Sequence, residues 1–237
     1  MFLHAVGTSG WMWQDVIAAL PDLRCHTVDL PGHGRSAQMR WQSLPAVAEQ
    51  VLSVIPSQKP VHLVTLSLGS YVRLHLLHHA PGRFASATLS GVHADGMPNK
   101  TLMKVMGALM SPFVRLPRLA RMNAANLGIP DDRIDGYVAA ARLTTPQAFR
   151  RASNNAVDFE APDISGFGGR LLIAAGGKEH ALIRDSQTKI AAMVPHGRAA
   201  QAPGLGHGWS GQNPRLFAEM VRAMVNNTAL PEALVLL

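Results

Sequence analysis

The stretch Val61-His62-Leu63-Val64-Thr65-Leu66-Ser67-Leu68-Gly69-Ser70-Tyr71 joins an apolar run to a sharp turn, and a helical pattern follows as far as Pro81. A strand that leads through a tight turn into a helix is the setting of a nucleophile elbow, in which the strained turn exposes one serine hydroxyl above a sheet. The Gly-x-Ser-x-Gly pattern is only partly kept, because Thr65 stands at the first glycine position and Gly69 at the last. On this stretch alone, a serine that caps an ordinary core helix explains Ser67 equally well.

The length and composition are typical of one globular α/β domain. The chain has 237 residues, of which 47% are hydrophobic and 16% are charged, so a sizeable core is expected. The single cysteine, Cys25, excludes an internal disulfide, and cytoplasm is the default compartment for such a chain. Residues 1–4 do not resemble a secretory signal, and no apolar run reaches membrane-spanning length. We therefore expect a cytoplasmic protein without a membrane span.

The net charge of +7 raises the question of nucleic-acid binding. The 22 cationic side chains are scattered singly, and most of them are arginines. The densest cationic group is interleaved with Met, Leu and Phe, as on an amphipathic surface, and it consists of Lys100, Lys104, Arg115, Arg118 and Arg121. The pattern argues against nucleic acid as a partner and indicates at most a modest attraction for anionic molecules.

Strand and helix patterns alternate along most of the chain and are interrupted once. The alternation predicts a doubly wound, mostly parallel α/β sheet of about six strands with helices on both faces. The interruption spans 93–169 and contains at least three helical patterns, one of which begins with Thr145 as N-cap and Pro146 in the first turn. We expect one structural domain, in which 1–92 and 170–237 form the core and 93–169 forms a helical cap inserted after the fourth strand.

Polar residues follow the predicted strands where reactive groups gather in doubly wound sheets, at the carboxyl ends. Ser67 follows the third strand, Glu179 the fifth and His207 the sixth. Serine, carboxylate and histidine in this chain order are the order of the α/β-hydrolase triad.

On these residues the sequence resembles the α/β-hydrolase family, in particular its capped, esterase-like branch, over nearly the whole chain. The most specific match is Asp29-Leu30-Pro31-Gly32-His33-Gly34-Arg35-Ser36, which agrees residue for residue with the family's Asp-Leu-Pro-Gly-His-Gly-x-Ser loop. The segment around His4 and Gly7 is similar to the family's His-Gly opening, although Ala5 replaces a glycine. Gly204 to Gly208 is similar to the catalytic-histidine loop.

Two departures from the family pattern have structural consequences. The family has two antiparallel strands ahead of the His-Gly strand, and this sequence opens directly on that strand. The sheet should therefore be short at one edge, and an exposed edge favours a homodimer. The second departure is Thr65, whose branched side chain stands where strand and helix pass closely; we expect the elbow to survive because Gly69 is kept.

The resemblance implies a role for each site residue. Ser67 would be the nucleophile, His207 its general base and acid, and Glu179 the residue that orients the imidazole. The backbone N–H groups of Val6 and Leu68 would form the oxyanion hole. Other groups could compete with Glu179 for its role, and they are His180, Asp185 and Asp95.

The predicted cap is rich in methionine, and a cap over Ser67 has to cover the substrate. We expect an apolar and permissive pocket lined by some of these side chains. The candidates are Met97, Met103, Met106 and Met110. The histidines show no metal-ligand spacing with carboxylates, so we expect no metal. A serine hydrolase with this triad is expected to need no cofactor.

The predicted function is that of a carboxylic ester hydrolase acting on small to medium esters or lactones through an acyl-enzyme. Several activities use the same triad and remain open, namely carbon–carbon bond hydrolysis, cofactor-free haloperoxidase-like chemistry and amide hydrolysis. A haloalkane dehalogenase is disfavoured because it needs a carboxylate at position 67. A non-catalytic ligand-binding relative of the family is the alternative from a different class.

Overall fold

The computed structural model describes residues 1–56 and 59–237 and has a seven-stranded sheet at its centre. The strands are β1 (Phe2–Leu3), β2 (Thr27–Val28), β3 (Val61–Leu66), β4 (Phe84–Ser90), β5 (Arg170–Gly176), β6 (Arg198–Ala202) and β7 (Val235–Leu236). Their order across the sheet is β2-β1-β3-β4-β5-β6-β7. The long strand β3, which leads into Ser67, therefore lies between β1 and β4, well inside the sheet.

The pairing confirms a mostly parallel, doubly wound sheet. Strands β1 to β6 pair in parallel with their neighbours, and only β7 runs antiparallel, against β6. The six expected strands are present, and β7 is an addition to them. It is formed by the apolar C-terminal tail, where two residues are too short to show a strand period in the sequence.

Helices cover both faces of the sheet. They are α1 (Gln14–Ala18), α2 (Leu44–Ser53), α3 (Leu68–His79), α4 (Lys100–Met110), α5 (Pro117–Asn126), α6 (Ile134–Arg142), α7 (Pro146–Asp158), α8 (Ala181–Ala191), α9 (Trp209–Gln212) and α10 (Pro214–Asn226). Successive side chains of β3 point to opposite faces. Leu63 packs with the core residues of α2, α3 and α8, and Val64 packs with those of α1 and α10.

Helices α4 to α7 all lie between β4 and β5, in the segment predicted as a cap. The predicted start of α7 is confirmed, because the Thr145 side chain accepts a hydrogen bond from the Ala148 N–H and Pro146 is the first helical residue. Helix α5 was not predicted; it is polar on average and begins at Pro117 without a side-chain cap. The exact division into core and cap stays a prediction.

Neither 1–56 nor 59–237 contains a helix long and apolar enough to pass through a membrane.

Candidate active site

Ser67 occupies a sharp turn between the last residue of β3 and the first residue of α3. Its backbone angles are φ 51° and ψ −115°, a region that residues with a side chain adopt rarely and at a cost of roughly 1–3 kcal/mol. The turn is held by two short hydrogen bonds, from the Ser67 N–H to the Ser90 carbonyl (2.8 Å) and from the Ser70 N–H to the Ser67 carbonyl (2.7 Å). An ordinary N-cap serine has extended backbone and a side chain bonded to the helix; Ser67 has neither feature among the described residues. The geometry is that of a nucleophile elbow.

Gly69 is required by the close approach of α3 to β1. A Cβ at this position would lie 2.5 Å from the carbonyl oxygen of Leu3, a backbone atom that cannot swing away. Thr65, at the other end of the motif, is fully buried, and its hydroxyl lies 2.9 Å from the Ser70 hydroxyl. The branched side chain is thus accommodated, and its polar atom has a partner inside the core.

His207 and Glu179 are joined by a short hydrogen bond. The distance from His207 Nδ1 to Glu179 Oε2 is 2.6 Å, and the second carboxylate oxygen accepts a bond from the Gly176 N–H at 3.0 Å. The Glu179 side chain is inaccessible to solvent, while 30% of the His207 side chain is exposed. Because the carboxylate is an acceptor, we assign the imidazole proton to Nδ1. Nε2 is then free to accept a proton from a nucleophile.

The end of β4 contacts both the elbow and the histidine. The Ser90 carbonyl accepts a hydrogen bond from the Ser67 N–H, and the Ser90 hydroxyl accepts one from the Trp209 indole N–H at 2.8 Å. Gly91 has φ +64°, and a Cβ there would lie 2.6 Å from the His207 Cε1 atom. The serine turn and the imidazole therefore contact two consecutive residues, Ser90 and Gly91.

Neither Ser90 nor Gly91 was among the site residues predicted from the sequence. In the described residues the Ser67 hydroxyl makes no hydrogen bond to His207. Such bonds are often long in free enzymes and shorten when substrate binds.

The backbone amides of Val6 and Leu68 are the predicted donors of an oxyanion hole. Leu68 is the first residue of α3, so its N–H has no partner within the helix. Neither amide donates a hydrogen bond to any residue in 1–56 or 59–237. Val6 and His207 also line the same cavity.

A cavity of about 60 Å³ lies beside His207, between the loop after β1 and the helical segment. Its wall includes an ion pair between Arg133 and Asp15, whose charged atoms are 2.6 Å apart. Other residues in its wall include Leu127, Ile129, Tyr137, Gly208 and Gly211.

The four methionines predicted to line a pocket are not among the residues around this cavity. Met103, Met106 and Met110 lie on α4 with 37%, 49% and 46% of their surface exposed. Met97 is half-buried ahead of α4, where its N–H bonds to the Val157 carbonyl. Their contact with substrate stays a prediction.

The groups that could compete with Glu179 for its role are paired elsewhere or exposed. Asp95 is exposed and paired with Lys189 at 2.7 Å. His180 caps α8, where its Nδ1 accepts the Leu182 N–H, and Asp185 is exposed on the same helix. Glu179 is the carboxylate that the fold brings onto His207.

Residues 1–220 match the profile of the alpha/beta hydrolase family. The chain belongs to this family.

Curated relatives of the chain carry the name pimeloyl-[acyl-carrier protein] methyl ester esterase. The Vibrio vulnificus protein is 44% identical over 82 residues, which are 34% of this chain and 31% of that protein. The Neisseria meningitidis protein is 28% identical over 228 residues, with 86% of each chain covered. The Vibrio vulnificus match and a match to a Methylococcus capsulatus relative of the same name span about a third to a half of those relatives' own length.

Solved structures show the same fold at low sequence identity. The thermophilic esterase from Thermogutta terrifontis has a TM-score of 0.76 and 16% identity, covering 95% of this chain and 88% of that one. The enol-lactonase from Burkholderia xenovorans has a TM-score of 0.77 and 16% identity, covering 95% and 90%.

Proposed function

We propose that this protein is a serine hydrolase that cleaves carboxylic esters through an acyl-enzyme. The observation that carries the proposal is the hydrogen bond between the buried Glu179 carboxylate and His207, next to a serine held in an elbow conformation. A serine hydroxyl is a weak nucleophile without an adjacent base, and the imidazole with a free Nε2 can supply that base.

The reaction would proceed in two halves. His207 takes the proton from the Ser67 hydroxyl as its oxygen attacks the ester carbonyl, and then gives the proton to the departing alcohol. In the second half His207 activates a water molecule that releases the acid and restores Ser67. Glu179 holds the tautomer with Nδ1 protonated and stabilises the imidazolium formed in each half.

The oxyanion that forms on the ester carbonyl would be bound by the Val6 and Leu68 N–H groups. Each preorganised donor of this kind contributes about 3–4 kcal/mol to transition-state stabilisation. Water is the only co-reactant in this scheme, so the proposed reaction needs no cofactor.

For the substrate, we propose a methyl ester on a carrier-bound acyl chain. The relatives are named for this chemistry, and a cavity of about 60 Å³ beside His207 has room for a small alcohol group. Lactones and short aryl esters would then be accepted as less specific substrates. A methyl ester of a dicarboxylic acyl thioester should give a higher kcat/KM than the matching ethyl or butyl ester, and equal values for the three would contradict this assignment.

Replacing Ser67 tests the mechanism. Ser67→Ala should abolish hydrolysis of a short-chain aryl ester, lowering kcat to the background rate, while the melting temperature stays near that of the unaltered protein. Ser53→Ala is a matched control, because Ser53 is exposed at the end of α2 and, among the residues that the structure describes, its hydroxyl bonds only to the Gln50 carbonyl. Turnover retained in the Ser67 variant would disprove the proposed nucleophile.

A further inference from the structure

Gln212 lies at the end of α9 and joins two loops that both line the cavity beside His207. Its Oε1 accepts a hydrogen bond from the Gly206 N–H at 2.9 Å, and its Nε2 donates one to the Leu127 carbonyl at 2.8 Å. Both partners are backbone groups of fixed polarity, so the side-chain amide can have only this orientation. One amide therefore connects the residue before His207 to the helical segment predicted as a cap.

The two loops also pack closely around this amide. A Cβ at Gly128, which has φ +67°, would overlap the Gln212 amide nitrogen, and a Cβ at Gly208 would lie 2.6 Å from the Leu127 carbonyl oxygen. At Gly211 an added Cβ would be 3.5 Å from the Ile129 side chain. The contact depends on two glycines, Gly128 and Gly208, on opposite sides of the interface, and Gly211 lies at ordinary van der Waals distance from Ile129; the two loops therefore fit closely together.

Leu127 and Ile129 on one loop and His207 and Gly208 on the other face the same cavity. A shift of the first loop would change the wall that meets the substrate, and a shift of the second would move the imidazole. Misplacement of a reacting group by about 1 Å can cost a factor of about 100 in rate.

We propose that Gln212 is a positioning residue that couples the substrate-binding wall at 127–130 to the histidine loop at 204–208. This inference rests on the proposed function, in which His207 is the base for Ser67. The hydrogen bond from the Gly206 N–H keeps the imidazole in position relative to the elbow. The hydrogen bond to the Leu127 carbonyl keeps residues 127–130 packed against the histidine loop. The two bonds therefore act on different kinetic constants.

The substitution Gln212→Glu separates the two bonds. A carboxylate still accepts the Gly206 N–H but has no donor for the Leu127 carbonyl, which it repels. We expect KM for a small ester to rise about five- to tenfold, with kcat within about twofold of the unaltered protein. Gln212→Leu removes both bonds, and kcat should then fall in addition, by about ten- to a hundredfold.

Gln187→Leu is the matched control. Gln187 is a buried glutamine on α8 whose amide donates to the carbonyls of Ile173 and Ala200, away from the cavity. This variant should lose stability while the folded protein keeps its kcat and KM. If both Gln212 variants resemble it, with lower stability and unchanged constants, Gln212 is only structural and the proposal is wrong.

Hydrogen exchange provides a readout that needs no turnover. Gln212→Glu should speed exchange at 127–130 alone, and Gln212→Leu should speed it at both 127–130 and 204–208. Unchanged exchange at both loops in both variants would overturn the coupling. A failure of the proposed function would have a different signature: the unaltered protein would show no ester hydrolysis that depends on Ser67. The hydrogen-exchange comparison would still decide the role of Gln212 in that case.

Discussion

Gly91 places His207 by leaving space for it. The imidazole packs where a side chain at position 91 would stand, and Glu179 Oε2 lies 3.5 Å from the same point. The left-handed backbone at Gly91, with φ +64°, also disfavours any residue with a Cβ. The pair of Glu179 and His207 therefore depends on a residue that takes no part in the reaction.

Gly91→Ala should lower kcat/KM for a short-chain ester by about 100-fold, because the new Cβ displaces the imidazole from its productive position. Gly82→Ala is the control, since nothing in 1–56 or 59–237 lies within 4 Å of a Cβ at Gly82. Steady-state kinetics on both variants tests this, and equal activity of the two would show that Gly91 does not position His207.

His33 makes stability depend on pH. It is fully buried, and burial together with the neighbouring His4 lowers the pKa of His33 to about 3, compared with 6.5 for an ordinary histidine. Burial also lowers the pKa of His4, whose Nε2 accepts the Leu30 N–H. Above pH 6.5 both rings are neutral in the folded and unfolded chain. Below pH 6.5 the unfolded chain binds the protons first, so stability falls as the pH falls.

His33→Asn should weaken this dependence. Between pH 7.5 and 5.5 the free energy of unfolding should drop by about 1.4 kcal/mol less in the variant than in the unaltered protein, because one buried histidine no longer contributes. Urea unfolding at the two pH values measures the difference. An identical drop in both proteins would contradict the assignment.

Buried hydroxyl groups connect strand β3, helix α3 and strand β4. The Ser70 hydroxyl donates to the Ser90 carbonyl at 2.8 Å and accepts the Ser90 N–H at 3.2 Å, and the Thr65 hydroxyl lies 2.9 Å away. These bonds lie directly beneath the Ser67 turn and help to hold its strained backbone.

Ser70→Ala should destabilise the protein by about 1–3 kcal/mol, because it removes three buried hydrogen bonds and leaves the Thr65 hydroxyl with only its longer contact of 3.4 Å to the Thr88 carbonyl. The melting temperature and the urea midpoint should both fall, whereas Ser53→Ala should change them little. A Ser70 variant as stable as the unaltered protein would show that these bonds contribute no net stability.

The strand–elbow–helix unit was predictable because each part has a local signal. The apolar run of β3 and the short motif around Ser67 are contiguous in sequence, and parallel strands bring the ends of β5 and β6 to the same edge of the sheet. The contacts of Gly91 and Gln212 were not predictable in this way. They depend on residues that are distant in sequence. A glycine next to a strand also occurs in many structural settings, so its presence alone does not indicate which residue it contacts.

Strand β2 lies at one edge of the sheet and, within 1–56 and 59–237, pairs only with β1. An unpaired edge offers backbone groups to another strand. We propose that two copies associate through this edge. Light scattering should then give twice the chain mass of 25.4 kDa at micromolar concentration, and a mass of one chain at every concentration would contradict it. The cytoplasmic location stays a prediction.

We propose above all that Ser67 is activated by His207 and Glu179. A serine-directed fluorophosphonate followed by peptide mapping tests it most directly. We predict one adduct per chain, on Ser67, absent in Ser67→Ala and formed far more slowly in His207→Gln. An adduct on another serine, or no labelling of the folded protein at all, would contradict the claim.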